Sequence, residues 1–343
     1  MSFVGRTRSE IFHSMRLAII GAGGWGTALA IVLSPRFERI RLWVHEPDLA
    51  ARIAATREND LYLAGLRVPG NVCPGTSIPW ALEDADIVAG VMPSQHARRL
   101  YGEIRPYLSP SALLVSATKG LEKTSLLRMS EVISQTLPAG AQLAVLSGPT
   151  FAPEVARGEP AAVVIASKDR TVAQRIQQAF SGPTFRLYTN SDPVGVELGA
   201  ALKNVVAIAA GVCKGLGLGN NTLAALITRG LAEITRLAEA MGAQPRTLAG
   251  LAGLGDLVLT CSGDLSRNRM VGLELAKGRK LADIVGSMKM VAEGVETCDA
   301  AFALGHKFRV ELPIVEQMHA VLHASKSPAD AIRDLMERSL KSE

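Results

Sequence analysis

Residues Arg16 to Leu33 read RLAIIGAGGWGTALAIVL, and the order of elements inside them decides the fold. The short apolar run Leu17 to Ile20 has the length and composition of a buried parallel strand. It runs directly into Gly21, Gly23 and Gly26 and then into an Ala/Leu/Ile-rich helix, which is the strand, turn and helix context that gives G-x-G-x-x-G its meaning. Gly21 permits the tight turn, Gly23 leaves room for a pyrophosphate, and Gly26 lets the helix lie close to its strand. The unpaired N–H groups and positive dipole end of that helix then face the phosphates. A glycine-rich turn that merely links a strand to a helix is the plainer alternative.

Outward from this turn the chain alternates. Ile40 to Val44 reads as a second strand, ending at His45, Glu46 and Pro47. A carboxylate at the tip of this strand favours NAD, and its absence leaves room for a 2′-phosphate. With His45 at the tip and Glu46 just beyond, both cofactors stay open, and His45 is either a ribose or phosphate contact or an ordinary loop histidine. Asp48 to Glu58 is expected to be helical and Val68 to Pro79 to be a Pro/Gly-rich connection. Further strands are expected at Ile87 to Met92, Ala112 to Ser116, Leu143 to Leu146, Ala161 to Ala166 and Phe185 to Tyr188, with a helix at Val172 to Phe180. Lys119 follows the strand ending at Ser116, where a cation meets cofactor or substrate. The turn Ser147-Gly148-Pro149-Thr150 is suited to presenting backbone amides. The tripeptide Lys123-Thr124-Ser125 lacks the preceding glycines of a phosphate-binding P-loop.

From Asp192 the strand signals stop and helical periodicity takes over, so the expected fold class is α/β: a Rossmann-like, doubly wound N-terminal domain over residues 15–191 and an all-helical C-terminal domain over 192–343. Helices are expected at Val194 to Val212, Leu223 to Met241, Met270 to Lys277, Leu281 to Met288, Val295 to Leu304, Pro313 to Leu322 and Pro328 to Leu340. Substrate is expected in the cleft between the domains. Residues 1–14 read as a disordered tail or extension without the apolar stretch of a secretory signal, and Met15 is an alternative start.

At 343 residues the chain is long for one core, and 48% hydrophobic with 20% charged residues is a globular composition. The net charge of +5 comes without a basic block or interleaved aromatics, which suits anionic small ligands and argues against nucleic acid. Cys73, Cys213, Cys261 and Cys298 form no C-x-x-C pair and read as reduced thiols in a cytoplasmic protein. His319 and His323 have chelating spacing on an expected helix but no third ligand in sequence, and read as a solvated helix face; no metal is expected. The long apolar run Val194 to Cys213 carries Glu197, Lys203 and Asn204, as a buried helix does and a membrane span does not.

Lys203 has few neighbours to solvate an ammonium, so burial is expected to lower its pKa toward the range of a proton donor. The plainer reading pairs it structurally with Glu197 or Asp256. Asp256 follows the flexible-looking GLAGLG and either orients Lys203, binds substrate hydroxyls or caps a helix. The tetrad Ser266-Arg267-Asn268-Arg269 offers a guanidinium for phosphate beside a hydroxyl and an amide, or else a capped helix start.

Taken in order, GAGGWGTALA, VMPSQ, SATKGLE, SGPTFAPEVA, ELGAALKNVVAIAAGV, AALITRGLAE, AGLGDLVLTC and SRNR closely resemble the bacterial NAD(P)-dependent glycerol-3-phosphate dehydrogenases from about Arg16 to the C-terminal helices. The resemblance implies reversible hydride transfer between NADPH, or NADH, and dihydroxyacetone phosphate, giving sn-glycerol 3-phosphate for glycerophospholipids. Gly24, Trp25, His45, Lys119, Ala152, Arg267, Val291 and Glu293 would contact the cofactor. Lys119, Gly148, Thr150, Asp256, Ser266, Arg267 and Asn268 would contact substrate. Lys203 would be the catalytic proton donor. Gly24 departs from the family pattern, where many members carry Ser. A β-hydroxyacid dehydrogenase of the same layout and a nicotinamide-sensing regulator without turnover are the rival readings. A homodimer is the default assembly.

Overall fold

The computed structural model describes residues 15–288 and 292–340. The tail 1–14 and Val291 lie outside the described residues.

The chain divides into two compact units, the first comprising residues up to Thr118 together with Met129–Pro193, the second Lys119–Arg128 together with the chain from Val194 onward. In the first unit the strands are β1 (Arg16–Ile20), β2 (Arg39–Trp43), β3 (Glu58–Asn59), β4 (Leu63–Arg67), β5 (Val72–Gly75), β6 (Ile87–Gly90), β7 (Leu113–Ser116), β8 (Gln142–Ser147), β9 (Ala161–Ala166) and β10 (Phe185–Asn190). Eight of them form one sheet in the order β10-β9-β8-β7-β6-β1-β2-β5. β1 lies between β2 and β6, with Ile20 opposite both Trp43 and Gly90, so the glycine turn leaves the sheet where the strand order reverses. Strands β6 and β7 are buried at every residue, as a sheet covered on both faces requires.

The sheet departs from a wholly parallel one at β9, which runs antiparallel to β8, pairing Val145 with Ala166. The connection over residues 148–160 carries only the short helix Ala152–Ala156, too little for a full crossover. Three further strands, β3, β4 and β5, lie where helix or irregular chain is expected. β5 falls in the supposed Pro/Gly connection, and its Pro74 is tolerated because β5 is the sheet edge. The helix Pro47–Thr56 ends at Arg57, which takes a left-handed φ of 57°, and the chain then turns into the separate β3–β4 hairpin.

Beyond Pro193 every described regular element is helical. The Pro193–Gly215 helix is long and apolar enough to cross a membrane, but its apolar window is wholly packed inside the protein. It forms the centre of a hydrophobic core built with the helices Asn220–Ala240, Arg267–Ala276, Glu293–Phe308 and Pro313–His323. The stretch GLAGLG is ordered, not flexible: Leu251–Gly255 forms a π-helical turn that continues into the helix Asp256–Ser262. Its Gly253 serves close packing, since a Cβ there would come within 2.0 Å of the Leu248 carbonyl, and a Cβ at Gly199 would come within 2.7 Å of the Ala252 carbonyl and 3.2 Å of Gly253 Cα. Two expected helices are shorter than their periodicity, ending at Gly286 and Met336.

Candidate active site

The first unit carries a turn shaped for an anion. Gly21 has φ +120°, and a Cβ there would stand 2.5 Å from the Val91 carbonyl, so only glycine fits. Gly23 caps the helix Gly24–Leu33 without a side-chain hydrogen bond, and nothing lies within 4 Å of where its Cβ would be. Gly26 packs directly on the Gly21 carbonyl. The helix's own ladder starts with the Thr27 N–H donating to the Gly23 carbonyl at 3.0 Å, which leaves the earlier N–H groups pointing out of the turn. The buried indole Nε1 of Trp25 has no hydrogen-bond partner among the described residues. Open space at Gly23, unladdered N–H groups and an orphan donor together fit the pyrophosphate of a dinucleotide.

The β3–β4 hairpin holds this turn in place. Asn59, fully buried, donates from Nδ2 to the Ala22 carbonyl and to Thr27 Oγ1, both at 2.8 Å, and its Oδ1 accepts from the Tyr62 N–H at 3.0 Å. The Tyr62 carbonyl lies 2.9 Å from the position of a Cβ on Gly24, so a serine at Gly24 would require the hairpin to shift. Ala152 Cβ is 3.8 Å from the same position, bringing Ala152 beside the glycine turn. At the end of β2, His45 is exposed with its ring 5.8 Å from that of Trp43. The Glu46 carboxylate accepts from the Tyr62 hydroxyl at 2.7 Å. Burial, and then this bond, push the Tyr62 hydroxyl up to about 12, so it stays a donor. After β8, Gly148 has φ +150° and packs against Val163, and the Thr150 hydroxyl donates to the Gly148 carbonyl at 3.2 Å.

The second unit gathers the ionisable side chains. Lys203 is 5% exposed on the Pro193–Gly215 helix, and Asp256, 1% exposed, opens the helix Asp256–Ser262. Gly199, one turn before Lys203, permits the close approach that brings them together. Lys203 Nζ lies 3.1 Å from Asp256 Oδ1 and donates to Thr260 Oγ1 at 2.6 Å. The other carboxylate oxygen, Oδ2, accepts from Lys119 Nζ at 2.9 Å. One buried carboxylate therefore holds two lysines, and the Thr260 hydroxyl donates a hydrogen bond to the Asp256 carbonyl at 2.6 Å. Burial drives the Lys203 ammonium down to about 8; Asp256 resists this and Lys119 adds to it. Glu197, the other suggested partner of Lys203, instead binds Arg128 at 2.6 Å.

The tetrad is both a helix start and a cluster. The Ser266 hydroxyl caps Arg267–Ala276 by accepting from the Arg269 N–H at 3.3 Å, which is the plainer reading, while Arg267 stands in the first turn, where loss of solvent around the guanidinium lowers its pKa and Glu293 partly offsets this. Asn268 is drawn inward, its Oδ1 accepting from the Gly294 N–H at 2.9 Å. A Cβ on Gly294 would come within 2.8 Å of the Asn204 carbonyl, so Asn268 and Glu293 both border the Lys203–Asn204 turn. Thr260, Asn59 and Tyr62 escaped the sequence reading. Thr260 lies one helical turn after Asp256, a spacing that marks it only where the stretch is helical. Asn59 and Tyr62 carried no local signal.

The chain matches the NAD-dependent glycerol-3-phosphate dehydrogenase N-terminus over residues 16–173 and the NAD-dependent glycerol-3-phosphate dehydrogenase C-terminus over residues 192–333. It is 58% identical over 327 residues to glycerol-3-phosphate dehydrogenase [NAD(P)+] of Koribacter versatilis, covering 94% of this chain and 97% of that one. The protein of the same name from a Geobacter species is 51% identical over 330 residues, covering 96% and 98%. Among solved structures, glycerol-3-phosphate dehydrogenase from Coxiella burnetii superposes with a TM-score of 0.91 at 37% identity, covering 95% of this chain and 100% of that one.

Proposed function

The chain belongs to the NAD-dependent glycerol-3-phosphate dehydrogenase family, and on that premise we propose that it interconverts dihydroxyacetone phosphate and sn-glycerol 3-phosphate, with Lys203 as the proton donor in reduction. The observation that carries this reading is the buried Lys203 Nζ held between Asp256 and Thr260 with its pKa brought down to about 8. An ammonium near neutrality gives up a proton readily to a developing alkoxide and regains it in the reverse direction. A bound reduced nicotinamide supplies the hydride.

The residues of the chain do the rest. Asp256 fixes the Nζ positions of Lys203 and Lys119, so both are set before the carbonyl arrives and no reorganisation is needed during reaction. Among the proposed substrate contacts, Arg267 supplies the countercharge to the phosphate, Gly148 and Thr150 supply backbone amides, and Ser266 and Asn268 supply polar side chains. Gly21, Gly23, Gly24, Trp25 and Gly26 hold the pyrophosphate, with Ala152, His45, Lys119, Arg267, Val291 and Glu293 as further cofactor contacts. NADPH is the favoured cofactor: the Glu46 carboxylate is engaged through Oε1 by Tyr62, which competes with a ribose 2′-hydroxyl for it. Reaction takes place in the cytoplasm and supplies glycerophospholipid synthesis, in keeping with four unbridged cysteines.

Consumption of NADPH and NADH, followed by absorbance with and without dihydroxyacetone phosphate, tests the reading. Substrate-dependent consumption, faster with NADPH, is expected. Tight binding of both cofactors with no consumption would remove the activity on dihydroxyacetone phosphate and leave the β-hydroxyacid dehydrogenase and then the sensor alternative.

A further inference from the structure

We propose that Asp299, His319 and His323 form a binding site for one divalent transition ion of the Zn2+ class, clamping the helix Glu293–Phe308 to the helix Pro313–His323. The two histidines are four residues apart on one helix, so their rings project from the same face, and they are met by a carboxylate from the neighbouring helix. Asp299 Oδ1 lies 2.6 Å from His323 Nε2 and 3.8 Å from His319 Nε2, and all three atoms lie within 4.8 Å of one another. Ligands of a tetrahedral Zn2+ at about 2.0–2.2 Å from the ion stand on the order of 3.3 Å apart, so small side-chain movements close the site. Two imidazoles and one carboxylate suit Zn2+, Co2+ or Ni2+ and not the all-oxygen preference of Mg2+ or Ca2+.

Two further observations separate this arrangement from a solvated histidine pair. Asp299 Oδ1 is screened from solvent and faces the Nε2 atoms of His323 and His319, so the three ligand atoms converge on one point and a cation would take the place of the proton between Asp299 and His323. The groups behind the ligands are also oriented. Phe302 stacks on the His319 ring at 4.0 Å between centroids with an interplanar angle of 7°, and His306 meets Phe302 edge-on at 4.6 Å. Lys123 Nζ lies 3.2 Å from Asp299 Oδ2 and 2.8 Å from Glu296 Oε2, which turns Oδ1 toward the histidines. Outer contacts of this kind fix ligand direction and are worth roughly 10–100-fold in metal affinity.

The test is titration of the metal-stripped full-length protein with Zn2+ by calorimetry and with Co2+ by visible absorption. One equivalent of Zn2+ is expected, with a Co2+ spectrum of tetrahedral intensity and a rise in Tm on adding Zn2+. His323→Gln and His319→Gln should each weaken Zn2+ by at least tenfold and abolish the Tm rise, and Lys123→Met should weaken it severalfold. Metal-free variants should bind NADPH as the parent does, which establishes that they fold. Equal affinity in the parent and in the His319→Gln/His323→Gln double variant would overturn the proposal, as would no binding at millimolar Zn2+. The binding readouts stand apart from catalysis, so they fail or succeed independently of the proposed function.

Discussion

Asp256 reaches two lysines with its two oxygens, Lys203 at 3.1 Å through Oδ1 and Lys119 at 2.9 Å through Oδ2, with Lys203 and Asp256 both buried. A single buried carboxylate between two ammonium groups leaves one positive charge in excess. Loss of solvent lowers the Lys203 pKa, Asp256 opposes that shift and Lys119 adds to it. Replacing Lys203 with alanine should therefore remove the proton donor while sparing the glycine turn. Turnover of dihydroxyacetone phosphate is expected to fall at least ~100-fold, with NADPH affinity by fluorescence titration unchanged.

The pH profile carries the sign. With Lys203 in its proposed role reduction requires the protonated form, so its rate should decline as pH rises through about 8, and oxidation of sn-glycerol 3-phosphate should gain over the same interval. Because Asp256 raises the Lys203 pKa and Lys119 lowers it, Asp256→Asn should move the midpoint down and Lys119→Met should move it up. Profiles of kcat for the residual activity of the two variants, shifted in the same direction, would contradict this arrangement.

Gly23 and Gly26 should separate ligand space from packing. Nothing lies within 4 Å of a Cβ on Gly23, so Gly23→Val should cost no more than ~1 kcal/mol in stability. Its side chain occupies the phosphate space, and NADPH affinity should drop at least ~10-fold, about 1.4 kcal/mol. Gly26→Ala drives a methyl onto the Gly21 carbonyl and should lower Tm as well as affinity. Calorimetric melts beside NADPH titrations distinguish the two.

Tyr62→Phe should release the Glu46 carboxylate from its 2.7 Å bond. An unengaged carboxylate repels a 2′-phosphate and accepts from a 2′-hydroxyl, so the ratio of kcat/KM for NADPH over NADH should fall severalfold. An unchanged ratio would show that Glu46 takes no part in cofactor choice.

Glu233, buried on the Asn220–Ala240 helix, accepts the Ile314 N–H at 2.8 and 3.0 Å and so caps the start of Pro313–His323. Burial outweighs these bonds and pushes its carboxyl up to about 7 from 4.5. A raised carboxyl binds more protons folded than unfolded, so its contribution to stability is complete below about 4.5 and is lost as pH rises through about 7. Urea melts of Glu233→Gln across this interval should show a flatter dependence on pH than the parent.

Local pattern disclosed much of this molecule. The strand Leu17 to Ile20 and its glycines were readable because each residue acts within one turn of itself. The low pKa of Lys203 followed from the apolar residues around it in sequence. What stayed hidden depends on distant chain. Whether Asp256 or Glu197 pairs with Lys203 turns on Arg128 taking Glu197, and whether GLAGLG is loose or helical turns on Gly199 of another helix. Asp299 beside His319 and His323 is likewise a matter of helix packing, invisible to a search for ligands along one segment. Strand β5 was obscured by Pro74 because its edge position cannot be read locally.

The short segment Lys119–Arg128 belongs to the second unit although the chain on both sides of it belongs to the first. On the ribosome this segment emerges before Val194, so neither Lys119 nor Arg128 can meet Asp256 or Glu197 until the helices beyond have been made. A fragment starting at Val194 would keep Asp256 with one lysine and deprive the buried Glu197 of Arg128. The helical half is thus not a transplantable module. Its charge balance is completed by ten residues lent from the middle of the other half, and any recombination of halves between relatives must carry that loan across with it.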